Sequence, residues 1–424
     1  MTSPPPHRQS GAFPSLAGED WLNAHATQRV LGLLEAAGFE ARIVGGAVRN
    51  ALLYRPVQDL DIATTALPEQ VVETAERAGL HVIPTGLKHG TVTVISDGQP
   101  FEVTTLREDV STDGRHADVR FTTAWEADAS RRDFTINALY CDARGAILDP
   151  LNGLKDIAQP VIRFIGDPNQ RIIEDYLRIL RFFRFFAEYG KRDPDACGLK
   201  ACVRGRQGLR QLSRERVRQE FLKLLVAPRA EAAIDAMYCH GLLGAFLPTV
   251  SRINHFSRLI GAAPRASAIL RLATLTLSTR DDVVRIVRAL RLANKEQDKL
   301  QNIAEVICCE REPPTLHTAK RWIYKYGNKN VQDRISYLRS SNFRTLCDPA
   351  WSALAQLADN WGAPKFPLAG RDILALGIQP GPHIGSILKQ AEQKWLEANF
   401  AMTRDELIAD IQGELAKPFE DETF

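Results

Sequence analysis

"ARIVGGAVRNALLYRPVQDLDIATT" (residues 41–65) decides how the chain is read. A short apolar run, ARIV, ends in two glycines and passes into AVRNALLY, whose apolar residues recur at helical spacing. DLDIATT is β-branched and alternating, which predicts a strand. Strand, glycine turn, helix and strand in immediate succession predict an α/β domain. Gly45 and Gly46 let the backbone approach a ligand, and the helix that follows offers free N–H groups at its positive end. Arg49 adds a fork of donors suited to phosphate oxygens. Many such turns carry paired glycines on steric grounds alone. The dinucleotide pattern GxGxxG is missing, so this turn is not that fingerprint.

Asp59 and Asp61 stand two apart, and on one strand both carboxylates point the same way. Like charges that close repel unless a cation lies between them, and oxygen donors at this spacing suit Mg²⁺. An isolated pair of this kind reads as a solvent-facing strand end. Here a third acid, Glu102 in FEVTTLR, interrupts a β-branched run where acids are depleted. If its strand neighbours that of Asp59 and Asp61, three carboxylates converge and can hold metal for phosphoryl transfer. An edge-strand charge that blocks aggregation is the competing role for Glu102. RRDFTINALYCD (residues 131–142) sets Arg131, Arg132 and Asp133 just before another expected strand, INALYCD, where they can contact the triphosphate and ribose of a nucleotide.

Outward from this head the composition is ordinary. The chain has 424 residues, 45% hydrophobic and 25% charged, with a formal charge of +3, so an anionic partner is permitted but not demanded. No apolar run reaches the ~20 residues of a membrane span. Residues 1–21 read as a disordered leader without a signal-peptide layout. Seven cysteines, odd in number and without CxxC spacing, read as reduced thiols of a cytoplasmic protein. Past residue 168 helical periods joined by Gly/Pro breaks predict an all-α remainder.

That remainder opens on EDYLRILRFFR (residues 174–184). Between Ile172 and Phe186 ten of fifteen residues are large and apolar, and the others are Glu174, Asp175, Arg178, Arg181 and Arg184. From Asp175 the charges recur every third residue, which on one helix makes a narrow polar stripe on a buried cylinder. An intrahelical Asp–Arg salt bridge at a domain junction is the plain explanation. Farther on, AKRWIYKYGNKN (residues 319–330) interleaves Lys320, Arg321, Lys325 and Lys329 with aromatics, either a solvated face or phosphate contacts.

GGAVRN, DLD, KHGTVTV, FEVTTLR, RRDFTINALY and EDYLRILRFFRF together resemble, in order and spacing, the class II tRNA nucleotidyltransferases. That family comprises the CCA-adding enzymes, with the closely similar bacterial poly(A) polymerases. PLAGRDILALGIQPGPHIGSILKQAEQKWLEANF (residues 367–400) also resembles the C-terminal part of many CCA-adding enzymes. The resemblance implies an α/β nucleotidyltransferase head (22–158), a neck with a nucleotide-selecting helix (159–225), a helical body (226–315) and a helical, tRNA-binding tail (316–424). It implies Asp59 and Asp61 as metal ligands for Mg²⁺, with Glu102 as the third acid. Gly46 and Arg49 match the family's triphosphate contacts, and Arg132 and Asp133 match its ribose-binding motif, beside Gly45 and Arg131. Asp175, Arg178, Arg181 and Arg184 would form the selecting helix, with Asp175 and Arg178 reading the base. The expected reaction is addition of C and A to the 3′ end of tRNA from CTP and ATP. Poly(A) addition and an inactive RNA-binding relative are the alternatives. Asn50 stands where the family usually has Asp, and Tyr54 where Gly is common.

Overall fold

The computed structural model describes residues 14–87, 90–113, 116–307, 313–341 and 343–415. Lys88 and His89 of the KHGTVTV motif, Cys308 and Cys309, and most of the expected leader lie outside them. The chain divides into two units. One runs to Ile253 and includes Ile286–Leu292; the other holds Asn254–Arg285 and the residues from Ala293 onward.

The first unit begins with α1 (Asp20–Asn23) and α2 (His25–Ala36). β1 (Ala41–Val44), α3 (Gly46–Leu52), β2 (Asp61–Thr64) and α4 (Pro68–Arg77) follow. Then come β3 (His81–Gly86), β4 (Thr91–Ser96), β5 (Gln99–Thr105) and a hairpin of β6 (Arg107–Asp113) and β7 (His116–Phe121). α5 (Trp125–Ser130), β8 (Tyr140–Cys141), β9 (Ile147–Leu148) and α6 (Gly153–Ala158) complete the head. Seven strands form one mixed sheet in the order β3-β4-β5-β2-β1-β8-β9. Among the described residues only β2 and β5 pair parallel; a parallel pair needs a long crossover, and α4, β3 and β4 supply it. Their register sets Asp61 opposite Glu102, while the antiparallel β1 sets Val44 opposite Asp61.

Three local expectations change. Residues 14–21 are not a disordered leader: Leu16 is buried, and its N–H bonds the Gly145 carbonyl at 2.9 Å. β2 starts at Asp61, so Asp59 precedes the strand rather than sharing it. INALYCD is a strand only at Tyr140–Cys141, because Thr135–Asn137 forms a 3₁₀ turn. Buried polar side chains hold that turn: the Thr135 hydroxyl donates to Asp156 Oδ2 at 2.6 Å and Asn137 Nδ2 to Asp133 Oδ1 at 2.9 Å. Tyr54, where the resemblance implies a glycine, stands in the left-handed region, φ 55°, a conformation that favours glycine.

The stretch 172–186 is two helices. α7 (Pro168–Glu174) starts on Asp167, whose side chain accepts from the Asn169 N–H, with Pro168 in the first turn. It ends at Asp175, which is extended (φ −155°, ψ 106°), and α8 (Leu177–Tyr189) begins two residues later. Asp175 and Arg178 are therefore not neighbours on one helix face. Tyr176 at the break packs where Gly208 leaves room; a Cβ on Gly208 would stand 2.0 Å from its ring. Phe182, Phe183, Phe185 and Phe186 are buried; Phe182 stacks on Phe164, and Phe134 of the head lies tilted against Phe182 and Phe185. α9 (Ala196–Gly205), α10 (Arg214–Val226) and α11 (Ala230–Cys239) pack around α7 and α8. α11 thus belongs with the neck although the helical body was expected to begin at 226. Arg229 fixes it there through the carbonyls of Gly190 and Arg192 and a stack on Phe186.

The second unit is all-α among its described residues, from Ile253–Ala262 to Arg404–Leu415. One of its cores gathers Ile373, Trp395 and Leu407 with Tyr324 and Phe400 packed against them. Among the described residues no helix is long and apolar enough to cross a membrane.

Candidate active site

The acids lie at the start of the β2–β5 pairing. Asp61 is exposed, yet its carboxyl is pushed above the usual aspartate range, by partial burial first and by Glu102 and Asp59 next, against an opposing pull from Arg132. A carboxylate raised by neighbouring acids in this way fits a divalent cation, whose charge would relieve the repulsion. Among the described residues no three His, Cys, Asp or Glu side chains close on one ion, so the expected three-acid convergence is not a cage. An open, oxygen-only site is what Mg²⁺ takes when substrate phosphates supply its remaining ligands.

Beside Asp61 lies a pocket of about 390 Å³, within the ~300–1,000 Å³ usual for small-molecule sites. The glycine turn, Gly45 and Gly46, forms part of its wall. Gly45 needs its glycine because φ is 70°; a Cβ there would make only ordinary contacts with the Asn137 carbonyl and the Arg132 guanidinium. Arg49, Arg132, Arg178 and Arg181 line it against Asp61, Asp133 and Asp175, with Asn137 and Phe185.

Each side chain is placed by a partner. Asp128, 1% exposed, holds Arg131 with one carboxylate oxygen and Arg132 with the other, and also accepts from the Tyr140 hydroxyl at 2.7 Å. Burial alone would raise the Asp128 carboxyl, but the two guanidiniums hold it below the usual range. Asp133 accepts from Arg181 Nε at 2.7 Å and from Asn137 Nδ2. Burial opposes its charge as well, but Arg181, Asn137 and the Phe134 N–H together outweigh burial and lower it. Arg184 does not line the pocket; it bonds Glu220 Oε2 at 2.5 Å and stacks on Phe185. Arg131 and Glu102 also stand outside the lining, and so does Asp59.

Asp175 and Arg178 both line the pocket although the helix breaks between them. Asp175 Oδ1 accepts from the Leu177 N–H at 3.0 Å, which closes the bend, and Oδ2 accepts from Arg216 Nη2 at 2.6 Å. Arg178 donates to Glu174 and, at 2.8 Å, to the Arg171 carbonyl. Sequence reasoning named none of Arg216, Glu220, Asp128 or Asn137. Arg216 and Glu220 lie in RERVRQEFLKLL, whose charge spacing reads as an ordinary amphipathic face. Arg216, from α10, is the arginine that braces Asp175.

The second unit has a larger groove of about 1050 Å³. Arg321, Lys325, Lys365 and Lys389 line it beside Trp322, Tyr324 and Tyr326.

Three kinds of likeness accord with this geometry. The family model described as the poly A polymerase head domain matches residues 41–163, and that described as the probable RNA and SrmB-binding site of polymerase A matches residues 199–253. Human mitochondrial CCA tRNA nucleotidyltransferase 1 is 35% identical over 387 residues, covering 88% of this chain and 86% of the relative. The CCA-adding enzyme of Streptococcus gordonii is 32% identical over 394 residues, covering 90% and 96%. The solved structure of the Bacillus stearothermophilus CCA-adding enzyme in complex with CTP matches with a TM-score of 0.70 at 27% identity, over 92% of this chain and 97% of that one. The chain belongs to the class II CCA-adding enzymes, the tRNA nucleotidyltransferases whose head, neck and helical remainder it reproduces along almost its whole length.

Proposed function

We propose that this chain adds C and A to the 3′ end of tRNA. The terminal 3′ oxygen bonds to the α-phosphorus of CTP or ATP, the bond to the β-phosphate oxygen breaks, pyrophosphate leaves, and the hydroxyl proton is released. The observation that carries this reading is one pocket lined by the acid Asp61, the glycine turn, and Asp175 with Arg178. Cytosine and adenine both present an exocyclic amine beside a ring-nitrogen acceptor. A carboxylate can accept from the amine while a guanidinium donates to the ring nitrogen. Uracil and guanine present the opposite pattern, so Asp175 and Arg178 select C and A without a nucleic-acid template.

The other residues bind and orient. Gly45, Gly46, Arg49 and Arg132 receive the triphosphate, and Asp133 accepts from the ribose. Arg181 fixes Asp133; Arg131 and Arg184 act from outside the pocket through Asp128 and Glu220. Nucleotidyltransferases of this kind depend on a divalent metal. Asp59 and Asp61 would hold Mg²⁺, which supplies charge neutralisation at the phosphates and a more acidic hydroxyl when bound. The basic, aromatic groove of the second unit fits tRNA phosphates. Poly(A) addition is not favoured, because the likeness to CCA-adding enzymes spans 86% and 96% of those relatives, tail included. The free thiols at Cys141, Cys197, Cys202, Cys239 and Cys347 support a reducing compartment such as the cytoplasm.

Asp61→Asn keeps shape and removes one charge. We expect loss of transfer from both CTP and ATP with an unchanged melting temperature. Wild-type turnover by this variant would remove Asp61 from the metal site.

A further inference from the structure

Among the described residues, the arginines of the pocket have carboxylate partners, with one exception. Arg132 pairs with Asp128, Arg178 with Glu174, and Arg181 with Asp133. Arg49 makes no carboxylate pair there. It is 7% exposed, and its acceptors are all neutral: Asn50 Oδ1 at 2.9 and 3.2 Å, Asn137 Oδ1 at 2.5 Å and the Tyr189 hydroxyl at 2.7 Å. The guanidinium also lies over the Tyr189 ring, 4.2 Å from its centroid. A buried cation with no directly bonded carboxylate, reached by Asp133 only through space, is costly, and an arriving anion relieves the cost.

The neutral cradle is held from both sides. Tyr189 is the last residue of α8, the helix that begins at the base-reading bend. Its hydroxyl accepts from Arg49 and faces Asn50 Oδ1 at 3.4 Å. Asn50 Nδ2 donates to the Pro56 carbonyl at 3.1 Å, which turns Oδ1 toward Arg49. An aspartate at that position could not donate to Pro56 and would neutralise Arg49. Arg55 lies over the same ring, 4.7 Å from its centroid, and bonds the Glu188 carbonyl at 2.6 Å, so the α8 terminus is anchored to the turn after α3.

We propose that Tyr189 is a positioning residue for the triphosphate: its hydroxyl and ring aim Arg49 into the pocket while leaving the guanidinium's charge for the phosphates. The proposal rests on the reading of this pocket as the nucleotide site. It makes α8 a single strut between the base-reading bend at its start and the phosphate contact at its end. Tyr189→Phe tests it, because the ring stays and the hydroxyl goes. The measurement is the dissociation constant of the full chain for CTP and for CMP in the same magnesium buffer, with the melting temperature alongside. The variant should bind CTP about five- to tenfold more weakly, the scale of one lost hydrogen bond. CMP affinity and melting temperature should not move. Steady-state KM for CTP and ATP should rise together with kcat little changed. Equal loss for CTP and CMP, or a lower melting temperature with the CTP-to-CMP ratio intact, would make Tyr189 a structural pin and overturn the proposal. A wild-type chain that binds CMP as tightly as CTP would instead overturn the triphosphate reading itself.

Discussion

Arg216→Ala isolates the support behind base selection. Arg216 donates to Asp175 Oδ2 at 2.6 Å, and the two side chains are 31% and 20% exposed. A hydrogen bond between charged partners is worth about 1.5–3 kcal/mol, and their partial exposure brings that to roughly 1–1.5 kcal/mol. Without Arg216, Asp175 keeps its bond to the Leu177 N–H but loses the contact that orients its second oxygen. If that orientation serves selection, the preference for CTP over UTP falls by about five- to tenfold, the equivalent of about 1–1.4 kcal/mol. Arg184→Ala is the control. It removes an ion pair to Glu220, one turn along the same helix, and touches neither base-reading residue. It should lower the melting temperature and leave the nucleotide ratios alone. The assay is kcat/KM for CTP, ATP, UTP and GTP on tRNA lacking its 3′ end, with thermal unfolding beside it. An Arg216→Ala enzyme that is less stable yet excludes UTP at the wild-type ratio would refute the reasoning and leave Arg216 as a structural brace.

Asp175→Asn should itself relax selection, because the amide can present a donor to the carbonyl of U; incorporation of UTP relative to CTP should rise about tenfold or more, and an unchanged ratio would remove Asp175 from the base contact. Alanine is a poorer choice, since it also removes the bond that closes the bend and would cost about 1 kcal/mol of stability whichever role is correct. In the second unit, Lys325→Glu with Lys389→Glu reverses two charges of the groove. tRNA affinity should fall and the slope of log affinity against log salt should become shallower by about 1.5–2, with KM for CTP unchanged; an unaltered slope would place the RNA contacts elsewhere.

The head was legible because its constraints are local. Gly45 must be glycine at φ 70°, and the strand and helix on either side of it carry their own periodicities. The facing of Asp61 and Glu102 could be posed but not decided, since it depends on a parallel pairing closed by a long crossover. The break at Asp175 was hidden because α7 and α8 bury apolar residues on both sides of it, so the apolar run continues through the bend. What enforces the break is remote: Tyr176 against Gly208, and Arg216 on Asp175. Arg181 and Arg184 likewise read as part of the selecting stripe, and only the fold sets Asp133 and Glu220 beside them. Charge spacing shows that a residue faces a polar region, not which partner waits there.

The most direct measurement is the length of the product made on tRNA lacking its 3′ end. With CTP alone the product should grow by two nucleotides; with CTP and ATP together it should grow by three and stop, and UTP and GTP should add nothing. A long, heterogeneous run of A from ATP alone, or no growth with any nucleotide, would contradict CCA addition as the activity of this chain.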